Sequence, residues 1–131
     1  MKKTKRLSLN LETGIIICDA EIKGPKGIHD LRLALDTGAS VTIIAPEAAF
    51  RIGVNPAQAK ETREILTGSS KVLCSVVTIP KFISLGHAIR NLEVLCHTLP
   101  DGSPVDGLLG LNFLSHFDLR LNFRKAFLEI Q

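Results

Sequence analysis

The sequence predicts a mostly-β, closed-barrel-like domain with one or two short helices, and three observations lead there. Apolar and β-branched runs of strand length recur along the chain, several of them alternating at period two. Turn clusters rich in Gly, Pro and Ser separate these runs at short intervals. At 131 residues with 45% hydrophobic content, the chain has the size of one domain and enough apolar side chain to fill a core without staples. The expectation is a single domain over residues 1–131, with a flexible basic tail at 1–6.

Residues 14–22 open as a continuous apolar run, Ile15-Ile16-Ile17-Cys18, and end alternating, which predicts a strand. KGPKGIHD (23–30) turns the chain back into LRLAL (31–35), where Leu31, Leu33 and Leu35 share one face. After a break at Asp36, residues 41–45 predict a third strand. Pro46 followed by Glu47 predicts one or two helical turns over 46–50, because proline is pre-set for the first helical position. Residues 52–60 carry no clear period. Two β-prone arms, 63–66 and 72–79, flank TGSS (67–70) and predict a long hairpin. Strands are expected at 81–85 and 92–97, split by a turn over 86–91, before the strong loop signal LPDGSP (99–104). A Gly-bracketed apolar run, a short helix near 112–116, a strand over 118–123, a turn at Lys125 and a terminal strand over 126–130 complete the chain.

Net charge is +3, from 16 basic and 13 acidic residues, with part of the excess in MKKTKR. That start fails as a secretory leader, because the apolar stretch after it is short and soon meets Asp19 and Glu21. It also fails as a nucleic-acid arm: there is no Trp or Tyr, and the six Phe are not interleaved with a basic patch. No segment has the length of a transmembrane helix, so the expected setting is soluble and cytoplasmic, with neither nucleic acid nor membrane as partner. Cys18, Cys74 and Cys96 are widely spaced and each lies in an apolar or strand-like run, which suits buried hydrophobes better than disulfides or zinc ligands. The four histidines show no metal spacing either, and no metal site is expected. Cys96 and His97 are neighbours, yet adjacent strand residues point to opposite faces and do not meet as nucleophile and base.

The chemistry-bearing stretch is LRLALDTGASVTIIAP (31–46). It ends an apolar strand on a carboxylate, adds a hydroxyl and a glycine, and returns to core. A carboxylate in such surroundings is costly to ionise unless something compensates. Asp36-Thr37-Gly38 resembles the active-site motif of aspartic proteases. Far along the chain, Leu108-Leu109-Gly110 followed by Asn112-Phe113-Leu114 resembles the apolar-apolar-Gly element and C-terminal helix of such lobes. With a candidate flap at TGSS the resemblance covers nearly the whole chain, and it is to the single-lobe retropepsin type, bacterial relatives included.

What the resemblance implies is an aspartic endopeptidase that needs no cofactor. Its chemistry uses two carboxylates about 3 Å apart, which cannot both ionise and so share one proton. This chain has one Asp-Thr-Gly. A homodimer supplies the second: a residue near a two-fold axis faces its own copy, so two Asp36 side chains form the dyad. The resemblance further implies Thr37 as a hydroxyl bonding across the axis and Gly38 as the glycine that lets backbone approach a peptide or protein substrate. Ala39 and Ser40 line the site edge, with the Ser40 hydroxyl as a partner for the Asp36 carboxylate. Gly110 and Asn112 support the site, Asn112 as an amide or a helix cap. Thr67, Gly68, Ser69 and Ser70 make the substrate-binding flap. Asp106 is the other candidate acid, but Pro104 and Gly107 around it favour a turn or cap role.

One departure stands out. Viral retropepsins usually carry Arg after the glycine of the C-terminal element, where this chain has Leu111, so more apolar dimer contacts are expected. The competing class is a catalytically idle member that keeps the fold as a peptide-binding or dimerisation module. Asp36-Thr37-Gly38 as an ordinary turn is the bland alternative, and a nucleotide-handling β protein lacks its phosphate-cradling glycine loop. The intact motif favours the enzyme.

Overall fold

The computed structural model describes residues 3–12 and 14–131, with Thr67 described by its backbone. The chain begins with β1 (Lys5–Ser8), β2 (Asn10–Glu12), β3 (Ile15–Gly24) and β4 (Gly27–Leu35). Next come β5 (Ile43–Ile44), α1 (Pro46–Arg51), a 3-10 turn at Pro56–Gln58, β6 (Glu61–Thr67), β7 (Ser70–Ser84) and β8 (His87–Cys96). It ends with β9 (Gly107–Leu109), α2 (Leu111–Leu114), β10 (Leu119–Asn122) and β11 (Phe127–Ile130). No helix among the described residues is long and apolar enough to cross a membrane.

The main sheet runs β2-β3-β4-β9-β5-β8-β7-β6, and a further pairing of β3 with β7 closes it into a ring. Closure satisfies backbone groups that an open sheet would leave at an edge. β1, β11 and β10 form a separate antiparallel sheet. Inside the ring the alternation of β3, β4, β7 and β8 aims Ile22, Leu31, Leu33, Ile79, Phe82 and Val94 into one core, with Ile52 after α1 and Phe113 of α2 closing it. A second, smaller cluster of Cys74, Val76 and Leu95, edged by Val41, Ile43, Ile65 and Val72, lies at the base of the β6–β7 hairpin. That second cluster will matter as the floor of the site.

Several boundaries moved for identifiable reasons. Lys5 and Arg6, placed in a flexible tail by the sequence, pair with Ile130 and Glu129 in β1. The Arg6 guanidinium also stacks 4.0 Å over the Phe127 ring; Met1 and Lys2 lie outside the described residues. The expected strand over 41–45 shrinks to Ile43–Ile44, because the Thr42 amide is taken by the Asn112 side chain instead of a ladder partner. The arms 72–79 and 81–85 fuse into the single long strand β7. Pro80 is tolerated there because β6 pairing ends at Val76, β3 pairing starts at Lys81 and the β8 register passes from Ile79 to Lys81, so no ladder asks a bond of its missing N–H. The turn expected over 86–91 is tighter and earlier. Leu85 and Gly86 both have positive φ, the requirement of a two-residue hairpin turn whose twist matches its strands, and β8 starts at His87.

The cysteines are all free and buried. Burial, with the nearby Asp19 carboxylate, pushes the Cys18 thiol up to about 12. Burial and the neighbouring Cys74 push Cys96 up to about 11, and burial also raises Cys74. An unfolded chain releases thiol protons near 9, while the folded one holds them to higher pH. The unfolded state therefore binds fewer protons above that point, and folding stability falls as pH rises through it. We expect the urea midpoint to drop between about pH 8 and about pH 10, and to drop less in a Cys18→Ala, Cys96→Ala double variant. Equal losses in both proteins would show that other groups carry the alkaline sensitivity.

Candidate active site

β4 carries the site to its position. It runs parallel to β9, pairing Leu33 with Gly107 and Leu35 with Leu109. The ladder extends one residue further, as the Asp36 N–H donates to the Leu109 carbonyl at 3.0 Å. The chain then turns on the aspartate itself. Asp36 Oδ1 accepts the Gly38 N–H at 2.8 Å, and the Asp36 carbonyl accepts the Ala39 N–H at 3.2 Å. A short carboxylate that bonds the backbone two residues on is what makes Asp suited to this corner. A Cβ at Gly38 would sit 3.2 Å from that same Oδ1, so the residue type and the bond go together.

The C-terminal element locks the loop in place. The Leu111 N–H donates to the Ala39 carbonyl at 2.8 Å. Thr42, 0% exposed, donates its hydroxyl to Asn112 Oδ1 at 2.8 Å and accepts the Gly110 N–H at 3.1 Å. Asn112 Oδ1 also takes the Thr42 N–H at 2.8 Å, and its Nδ2 donates to the Glu93 carbonyl at 2.7 Å. One amide thus joins the site loop, α2 and β8. Of the two roles open to Asn112, the supporting amide is the one it performs; the helix N-cap is Gly110. A Cβ at Gly110 would come within 2.7 Å of the Val41 carbonyl carbon and 2.8 Å of the Ala39 oxygen, so only glycine permits this approach.

Asp36, half-buried, opens on a cleft of about 520 Å³ walled by Ile43, Ile65, Leu66, Leu99 and Leu108, with His97 and Thr98 on one side. A neighbouring groove of about 370 Å³ continues past Ala39, Ser40, Val41 and Leu95. Asp36 is the only carboxylate among the described residues lining the larger cleft. Arg63, on the rim of the smaller groove, is occupied: its guanidinium binds Glu93 and Glu61, which hold it firmly charged. Above both spaces stands the β6–β7 hairpin. Its backbone closes at Thr67 and Ser70, leaving Gly68 and Ser69 at an exposed tip with open space around Gly68.

The structure therefore brings Asp36, Gly38, Ala39, Gly110 and Asn112 together around one corner, with 67–70 at a hairpin tip. One expectation differs. Ser40 is exposed and makes no hydrogen bond to the Asp36 carboxylate, whose Oδ1 accepts the Gly38 N–H. Thr37 is exposed, and its hydroxyl has no hydrogen-bond partner among the described residues of this chain. Asp106 belongs to the scaffold. Its carboxylate accepts the Arg32 N–H at 2.9 Å and pairs with Arg51 at 3.2 Å, stapling β4 to α1. The sequence reasoning passed over Thr42, whose only signal was a hydroxyl inside a β-branched run, and His97, which it weighed only as a partner for Cys96.

Residues 18–113 match the profile of a family described as aspartyl protease. The chain is 26% identical over 122 residues to DNA damage-inducible protein 1 of Yarrowia lipolytica, covering 92% of this chain and 28% of that protein. It is 27% identical over 144 residues to the protein of the same name in Neurospora crassa, covering 98% and 30%. The chain thus spans less than a third of the length of these relatives. Among solved structures it is similar to a retropepsin-like aspartic protease from Rickettsia conorii, with a TM-score of 0.74, 22% identity, and 98% and 91% of the two chains covered. That similarity shows the fold.

Replacing Thr42 by Val keeps the volume but leaves the buried Gly110 N–H unpaired. We expect a loss of about 1–3 kcal/mol in urea unfolding, the cost of a stranded buried donor. Gly110→Ala should destabilise by about 1–3 kcal/mol through forced backbone displacement, and should disturb the Asp36 corner more than Thr42→Val does. Amide chemical shifts of Asp36, Gly38 and Ala39 report that disturbance.

Proposed function

Since the chain belongs to the aspartyl protease family and has the retropepsin-like fold, we propose that it is an aspartic endopeptidase acting as a homodimer, with Asp36 from each subunit forming the catalytic dyad. The observation that carries this reading is the single carboxylate that the described residues place in the cleft, held by its own turn at the end of an apolar strand. Metal-free peptide hydrolysis by an acid pair needs two such groups. One carboxylate takes a proton from water as the oxygen attacks the scissile carbonyl; the other, protonated, donates to the carbonyl oxygen. The tetrahedral intermediate then collapses as a proton reaches the leaving nitrogen. One chain supplies half of this set, and two-fold symmetry supplies the other half. The exposed Thr37 hydroxyl, without a hydrogen-bond partner among the described residues of its own chain, is suited to bond across that axis. The apolar walls suit a peptide in extended form, and the hairpin tip at Thr67, Gly68, Ser69 and Ser70 suits a cover that opens for substrate and excludes water.

Asp36→Asn should abolish peptide cleavage while the fold and the dimer persist, since the amide keeps the shape and loses the proton chemistry. Sedimentation and a peptide-library digest check both halves of that statement. An Asp36→Asn protein that cleaves at the parent rate ends the aspartic reading; a parent that binds peptides and never cleaves them favours the idle binding module. Specific activity of the parent should fall on dilution through its dimer dissociation constant. Its pH profile should be bell-shaped with an optimum on the acidic side of neutral, because the dyad works only while it holds one proton between two acids.

A further inference from the structure

His97 follows directly on β8, and its backbone N–H donates to the Ile44 carbonyl at 3.1 Å, which fixes where the 97–106 loop leaves the sheet. His97 is half-buried and lines the Asp36 cleft beside Ile65, Leu99 and Leu108, with Asp36 and the exposed Thr98 as the other polar side chains of that cleft. Neither ring nitrogen has a hydrogen-bond partner among the described residues. The other polar groups of the two grooves are differently placed. Arg63 is spent on Glu93 and Glu61, Asp36 is the reacting group, and the Thr98 hydroxyl lies on the exposed rim. Ser40 in the neighbouring groove is exposed like Thr98, so His97 is the half-buried donor of the larger cleft with no hydrogen-bond partner among the described residues.

Resting on the reading of this cleft as a peptide site, we infer that His97 is a specificity-determining residue. Its imidazole receives a hydrogen-bond-accepting side chain, Glu or Gln, at one peptide position beside the scissile bond. An imidazole offers one N–H donor when neutral and two when charged, so an acceptor is served in either state. A leucine at that position covers the ring and leaves its donor desolvated and unpaired, and a site with such a donor rejects the apolar analogue. The apolar walls alone predict the opposite ranking, which makes the two distinguishable.

The test uses the full-length dimeric protein and a set of peptides that differ at one residue, Glu, Gln or Leu, placed in turn at each position flanking the cleaved bond. The wild type should favour Glu and Gln over Leu at one position by roughly tenfold in kcat/KM. His97→Leu should erase or reverse that preference while cleaving the Leu peptide at least as well, and His97→Gln, which keeps a donor, should retain it. A wild type that favours Leu at every position, or a preference unchanged in His97→Leu, overturns the inference while leaving the peptidase reading intact. Should the wild type cleave nothing, the same ranking is read as dissociation constants in wild type and His97→Leu by fluorescence anisotropy. A Glu and Gln preference that depends on His97 then upholds this inference without the peptidase reading; absence of peptide binding, or a ranking indifferent to His97, overturns it.

Discussion

The Thr42 hydroxyl donates to Asn112 and accepts from the Gly110 N–H, with no exposure to solvent on either side. It joins two stretches of chain that are far apart in sequence and bear the two halves of the site. A hydroxyl buried this way is costly unless both its donor and acceptor capacities are filled, and here they are. Once they are, the loop after Asp36 has little freedom. The Ala39 carbonyl meets the Leu111 N–H, the Val41 backbone lies against Gly110, and the Asn112 amide reaches on to β8. The aspartate corner is held by contacts with the C-terminal element rather than by its own turn alone.

The closed sheet explains why the cleft lies where it does. β5 is two residues long and still sits between β9 and β8, pairing antiparallel with one and parallel with the other. Its Ile43 belongs to the small apolar cluster under the β6–β7 hairpin, and the same residue walls the cleft. Core and cleft are therefore continuous. Ile65 on the hairpin and Ile43 on the floor both pack against that cluster, yet remain partly open, which leaves apolar area for an extended chain to cover. At the hairpin tip a Cβ on Gly68 would meet nothing within 4 Å, so the turn there stands in open space. Low contact density is the physical basis for expecting motion there.

Charge is handled with economy. Asp106 is neutralised by Arg51 and the Arg32 amide, and Arg63 by Glu93 and Glu61. Each of these pairs is partly exposed, so its contribution to stability is small. Their effect is to leave the cleft with few uncommitted polar groups. Asp36 and His97 stand out as the half-buried polar side chains of the larger cleft, set among apolar walls and the exposed Thr98.

The sequence by itself determined the class of fold, the hairpin over TGSS, the helix at Pro46 and the Asp36 corner, because each rests on local physics. Alternation sets the strand faces, proline sets the helix start, and a short carboxylate before Thr-Gly sets the turn. The buried cysteines were legible for the same reason, each lying inside an apolar run. Longer-range matters were decided only in three dimensions. Lys5 and Arg6 look like a solvated tail until β11 offers a ladder and Phe127 a ring to stack on. Pro80 looks like a strand break until the ladders to β6, β3 and β8 all pass over it. Asn112 could cap a helix or brace the site, and only the meeting of Thr42 with β8 chose between them. Ser40 could reach Asp36 by spacing, but in the folded loop it is exposed and the Gly38 amide is the group that bonds the carboxylate. His97 carries no pattern at all, since what makes it notable is the unsatisfied company it keeps. Periodicity and propensity act between neighbours in the chain, whereas hydrogen-bond partners far apart in sequence are selected by the packing that brings them together.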